Sequence, residues 1–227
     1  MPGPAMNGGG PRESFAPEQM TAREFYGLLT ALVVPRPIAW VSTIGADGVD
    51  NLAPHSFFTV ASVEPPVVQF TSVGLKDTLR NVEETGEFVV NLACEKDFET
   101  INATATDFPR ALSEFDALGI RREPSLSVRP PRVAGAPAVL ECALHSTLPI
   151  GDSTLVLGRV LTAAVHRDVL VDGHPDSALL RPLARLGKDE WATLGAVREI
   201  KRVRFADRPG EQLGDARPVE GGRAGCV

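Results

Sequence analysis

The chain has 227 residues, 43% of them hydrophobic, and a formal net charge of −6, which suits one sizeable domain with a buried core. That charge speaks against a general binder of nucleic acid or anionic membranes, so an anionic ligand would need a local cluster of donors. No apolar stretch approaches the roughly 20 residues of a membrane span.

The opening "MPGPAMNGGGPRES" lacks the charged and apolar regions of a signal peptide. Rich in Gly and Pro, residues 1–14 read as a disordered lead, and residues 206–227 as a flexible tail. The folded part is then expected at 15–205. Cys94, Cys142 and Cys226 are odd in number and widely spaced, with no CxxC pair or His-rich partner. They suggest neither zinc nor a disulfide framework, but reduced thiols in a cytoplasmic protein.

In chain order, "TAREFYGLLTALV" has helical spacing at Phe25, Leu28, Leu29, Leu32 and Val33. Thr21 and Glu24 fit a capping box, and Pro35 and Pro37 stop the helix. A strand is expected at Ile38–Ile44, a turn at Gly45–Gly48, and a strand at Pro65–Ser72. Then come a helix at Asp77–Glu84, a Gly86 stop and a strand at Phe88–Leu92. A helical pattern over 96–118 is interrupted by Pro109. Two long β segments follow, joined near Gly151-Asp152, then a mixed, loop-like stretch and a last strand at 197–205. Strands dominate and helices are peripheral, which favours an antiparallel barrel over a parallel sheet. The one Gly-rich segment is not a strand–GxGxxG–helix unit.

Two stretches carry chemistry. In "SVGLKDTLRN" a strand ends, Gly74 loosens the loop and a helix begins, with Asp77 or Thr78 as N-cap. Free amides there, with Lys76 and the Thr78 hydroxyl, form a local phosphate site. An ordinary capped helix with a solvated lysine gives the same pattern. In "STIGADGVDNLAPHSFF" the return strand is interrupted. Ser42 and Thr43 lie on one side of the turn, and Asn51, Ala53 and Ser56 on the other. Pro54 removes a ladder donor, leaving backbone groups that a flat heteroaromatic ligand could satisfy. A strand bulge satisfied by water is the alternative. His55 flanks this wall, His145 and His166 alternate with apolar residues as structural groups do, and no histidine has metal-ligand spacing.

Together with "PPVVQFTS", "KDTLRNVEETGEFVVNL", "LPIGDSTLVLGRV" and "RPLARLGKDEW", in that order, these stretches resemble the flavin reductase-like, FMN-binding split-barrel family. The resemblance implies a mainly β fold, a six-stranded antiparallel Greek-key split barrel with peripheral helices. It also implies a homodimer and noncovalent FMN, with FAD as the alternative flavin and NADH or NADPH as electron donor. Carried over by position, Ser42 and Thr43 with the backbone of Trp40 and Val41 would line the isoalloxazine. Asn51, Ala53, Ser56 and Phe57 would continue that wall. Lys76 and Thr78 would hold the phosphate, with Asn81 and Ser72 as secondary candidates, and Arg36 would reach the flavin or form an interface salt bridge.

One departure stands out. Many relatives carry His after the "GD" pair, to position the nicotinamide, whereas this chain has Ser153. The implied activity is hydride transfer from NAD(P)H to flavin, then to an acceptor or a partner monooxygenase. The alternatives are an FMN-dependent enzyme acting on an organic substrate and a non-catalytic electron carrier. No catalytic residue is assigned, and no metal, nucleic acid or membrane is expected.

Overall fold

The computed structural model describes residues 12–202. The expectations for residues 1–11, for 203–227 and for Cys226 lie outside the described residues.

Helix α1 (Ala22–Leu32) starts at the Thr21–Glu24 capping box, with both reciprocal hydrogen bonds made. The main sheet then begins with β1 (Ala39–Ile44) and β2 (Asp50–His55), paired as a hairpin. After a two-residue bend come β3 (Phe58–Ser62) and β4 (Val67–Val73), which pair with each other. Helix α2 (Asp77–Thr85) ends at Gly86, whose φ of 73° is the left-handed conformation that glycine supplies at a helix C-terminus. Next come β5 (Glu87–Leu92), the short helices α3 (Phe98–Ala103) and α4 (Glu114–Ala117), and the long pair β6 (Ala138–Ile150) and β7 (Ser153–Val165).

The sheet has seven strands in the order β2-β1-β5-β6-β7-β4-β3, and every pairing is antiparallel. Seven rather than six arises from one break. The run 50–62 splits at Ser56-Phe57, and its two halves become the two edges of the sheet. Two edges joined by two residues must approach each other, so the sheet curls strongly. Across the gap the Thr71 amide donates to the Phe57 carbonyl at 2.9 Å, which links the bend to β4. The ladder itself does not close.

Both faces of β1 are covered, which is why its side chains, pointing alternately to either face, are buried from Ala39 through Thr43. Trp40 and Val89 pack on one side with Leu52, Ile101 and Phe115. Ala39, Val41, Phe88 and Val90 pack on the other with Phe70, Leu79, Val82 and Val156. A Cβ at Gly158, at an irregularity in the β6–β7 ladder, would meet the Phe88 ring at 2.1 Å. Glycine is there to admit that ring.

Two expectations need correction. The pattern over 96–118 yields only α3 and α4 as α-helices, because the segment carrying Pro109 between them cannot continue a hydrogen-bonded helix. The closing strand is absent over its described part: residues 197–202 carry no strand and are exposed. No helix among the described residues is long and apolar enough to cross a membrane.

Candidate functional site

The bend at Ser56-Phe57 opens a cavity of about 650 Å³ between the end of β2, the loop from β4 into α2, and the coil after α3. Asn51, Ala53, Ser56, Phe57, Ser72, Lys76 and Thr78 line it. These are the residues contributed by the two sequence stretches singled out above.

The floor is built around the start of α2. Ser72 Oγ donates to the Gly74 carbonyl at 3.1 Å, and the Lys76 amide donates to the same carbonyl at 3.2 Å. Gly74 has a φ of 72°, which favours glycine. Lys76, not Asp77 or Thr78, is the N-cap, and no side chain caps the helix. Asp77 is instead paired with Arg80. The first-turn amides are therefore available to an acceptor from the cavity, and the helix dipole favours an anion there. Asn51 Nδ2 donates to Thr78 Oγ1 at 3.0 Å, which leaves the Thr78 hydroxyl proton free to donate.

The remaining expected residues, Arg36, Trp40, Val41, Ser42, Thr43 and Asn81, do not line this cavity. Arg36 is buried and donates to the carbonyls of Thr30, Val33 (2.8 Å) and Leu186 (2.7 Å). Its charge is taken up by carbonyls at the C-terminal end of α1. It touches the site only indirectly, with its guanidinium carbon 5.9 Å from the Phe57 ring centre. Val41 is a core residue. The Trp40 indole N–H donates to Thr104 Oγ1 at 2.9 Å, so this ring braces a cavity-lining residue from behind. Ser42 Oγ donates to the Pro131 carbonyl at 2.5 Å, and Thr43 Oγ1 accepts from Asn81 Nδ2 at 3.1 Å. All four groups are buried with partners already found.

Sequence reasoning missed the residues of the third wall, Thr104, Ala105, Thr106, Asp107 and Phe108, together with Tyr26 from α1 and Glu114 from α4. Nothing in their local pattern marks them, since their place depends on how α3 and α4 pack. Glu114 is buried and accepts from the Leu52 amide at 2.8 Å. Burial raises its pKa above the ordinary carboxylate value, against the pull of that amide.

His55 also lines the cavity, its ring 4.6 Å from Phe70 centre to centre. Nδ1 lies 3.4 Å from the Thr71 carbonyl, which assigns the ring proton to Nδ1. Nε2 is then an acceptor, sealed from solvent and without a partner. Burial, opposed by the Thr71 carbonyl and aided by Lys76, pulls the pKa down to about 4. The ring is neutral in the fold and takes up a proton more readily when unfolded. Stability from this group is therefore complete above pH ~6.5 and is lost as pH falls towards 4, by roughly 3 kcal/mol in all. A His55→Phe variant should show a flatter urea-denaturation stability between pH 7 and 4.5 than the wild type. A parallel pH dependence would remove His55 as the cause.

Comparison with solved structures gives the same architecture throughout. Nitrilotriacetate monooxygenase component B from Bacillus cereus is 32% identical with a TM-score of 0.81, over 85% of this chain and 100% of that one. The 2-nitrobenzoate 2-nitroreductase of Pseudomonas fluorescens is 28% identical with a TM-score of 0.80, over 87% and 100%. A protein with a split barrel domain from Shewanella frigidimarina is 19% identical with a TM-score of 0.76, over 85% and 100%, and shows the fold alone. The fold is thus a mainly β split barrel. Residues 31–179 match the family model described as "Flavin reductase like domain", and the chain belongs to the flavin reductase-like family.

Proposed function

We propose that the cavity binds FMN and that the protein is an oxidoreductase taking hydride from NADH or NADPH, then passing electrons to an acceptor or a partner monooxygenase. One observation carries this reading. A single cavity joins an uncapped helix start bearing Lys76 and Thr78 to the wall made by the broken strand Asn51–Phe57.

The residues fit such a ligand. The volume lies within the ordinary range for cofactor sites. The open amides of α2 lack partners that a ligand edged with acceptors would supply. Lys76, the α2 amides and the Thr78 hydroxyl would hold the phosphate. Asn51 orients Thr78, and Ser56, Ala53 and Phe57 would lie along the ring system. When bound, the flavin supplies the two-electron chemistry. The protein's part is to bind, orient and keep water from one face.

Several features support the assembly. Tyr26 and Leu29 on α1, and Leu32 at its end, are exposed apolar residues that suit burial against a second copy. The likeness to a monooxygenase component supports electron delivery to such a partner. Cys94 and Cys142 are free and buried, each thiol pushed up to about 12 chiefly by burial, as suits a reducing cytoplasm.

A second reading, an FMN-dependent enzyme acting on an organic substrate, is favoured by Ser153. That residue sits at the β6–β7 hairpin, where the neighbouring Asp152 carbonyl accepts from the amide of the cavity-lining Gly74 at 2.9 Å. The likeness to a nitroreductase points the same way. Anaerobic mixing of FMN-loaded protein with NADH and with NADPH tests both readings. Bleaching of the yellow colour by either nicotinamide is expected. Retained flavin that neither bleaches favours the second reading, and a protein that takes up no FMN overturns both.

A further inference from the structure

Each lysine and arginine lining the cavity is already matched. Lys76 Nζ lies 3.0 Å from Asp107 Oδ1, and Arg80 is paired with Asp77. Asp107 belongs to the coil between α3 and α4, a different wall from Lys76, so this ion pair ties two walls together at the exposed rim. The Asp107 side chain is 89% exposed, and Lys76 is its one partner among the described residues. Moving it away from Lys76 therefore breaks no buried contact.

We propose that Asp107 is a specificity-determining residue that competes with the flavin phosphate for Lys76 and keeps the flavin exchangeable. This rests on the FMN reading above. A phosphate monoester brings roughly 1.5–2 negative charges at neutral pH. Beside Lys76 it must either displace Asp107 or share one ammonium with a second anion. Phosphate wins, because an exposed carboxylate pair is weak and the α2 amides and Thr78 add donors that Asp107 does not use. The margin is smaller than Lys76 alone would give. Riboflavin, which lacks the phosphate, meets no such competition. Asp107 thus narrows the preference for the phosphorylated flavin, and it acts mainly on release, where affinity differences within one site are expressed. A site of this kind suits flavin handed on as a product more than flavin held permanently.

The test is equilibrium titration of FMN and of riboflavin against the full-length wild type and its Asp107→Asn, Asp107→Glu and Lys76→Ala variants, alone and combined. Asp107→Asn should tighten FMN by about two- to fivefold, slow its release, and leave riboflavin unchanged. Asp107→Glu should keep the wild-type ratio of the two affinities. The gain should shrink in the Lys76→Ala background, where the contested cation is gone, and at about 0.5 M salt. Weaker FMN binding by Asp107→Asn would make Asp107 a support for Lys76 and overturn the proposal. An equal shift for both flavins would make it a shaper of the cavity and overturn the proposal as well. If neither flavin binds any of these proteins, the FMN reading itself falls and the proposal falls with it.

Discussion

Replacing Lys76 by alanine is expected to weaken FMN binding by about 10- to 30-fold while leaving riboflavin binding nearly unchanged. A hydrogen bond from a charged donor is worth about 1.5–3 kcal/mol, and solvent screening at a half-exposed lysine pulls the value to the lower part of that range. The amides of α2 and the Thr78 hydroxyl remain in the variant, so binding should weaken rather than vanish. Fluorescence quenching of the two flavins, titrated side by side, separates the phosphate contribution from that of the ring. If FMN affinity is unchanged, Lys76 has no phosphate role. If both flavins weaken alike, the substitution has disturbed the cavity and not its charge.

The largest effect on stability is expected from Glu141→Ala, at about 3–5 kcal/mol by urea denaturation. Glu141 is fully buried in β6 and accepts from Arg132 Nε at 2.8 Å and Nη2 at 2.5 Å. It also accepts the amides of Leu126 at 2.9 Å and Ser127 at 2.5 Å. The Arg132 side chain is only 8% exposed, and its other partner is Glu123 at the edge of the protein. Truncation leaves the buried guanidinium with Glu123 as its one carboxylate and two amides without their acceptor, which is far costlier than never having had the pair.

Burial pushes the Glu141 carboxyl up, yet the Leu126 amide, the Arg132 guanidinium and the Ser127 amide outweigh it, and the pKa lies below its ordinary value. The group therefore stabilises the fold above the ordinary carboxylate pKa, and that stability is lost as pH falls through the lowered one. A Glu141→Ala protein as stable as the wild type would show that the segment 126–132 is held by something else. FMN affinity per folded molecule should hardly change, because none of these groups lines the cavity.

These two residues also show where sequence reading succeeds and where it stops. Lys76 was legible because a strand, a glycine and a helix start are local events, each with its own residue signature. The same holds for the capping box of α1, the Gly86 stop and the β6–β7 hairpin. Glu141 was not legible. It is the one polar residue in the apolar run 138–144, and its partners Leu126, Ser127 and Arg132 come from a segment with no regular pattern that would announce the contact. Ser42, Thr43 and Asn81 lie outside this cavity for a related reason. Small polar groups beside a broken strand can face a ligand or one another, and only the packing of α2 on β1 decides which.

The interrupted run from Asn51 to Phe58 is the clearest division between the two levels. By itself the sequence determined that the run is interrupted, but not where: Pro54 stays paired opposite Trp40 inside β2, and the break falls two residues later at Ser56-Phe57. It also determined the helix start that carries Lys76. The tertiary structure decided that the two halves of the broken run become opposite edges of one sheet, and that the coil 104–108 closes the third side of the cavity between them. Those outcomes depend on contacts between residues far apart in the chain, such as Trp40 with Thr104 and Lys76 with Asp107. Local patterns report the conformation of a segment, and only the packed chain reports which segments meet.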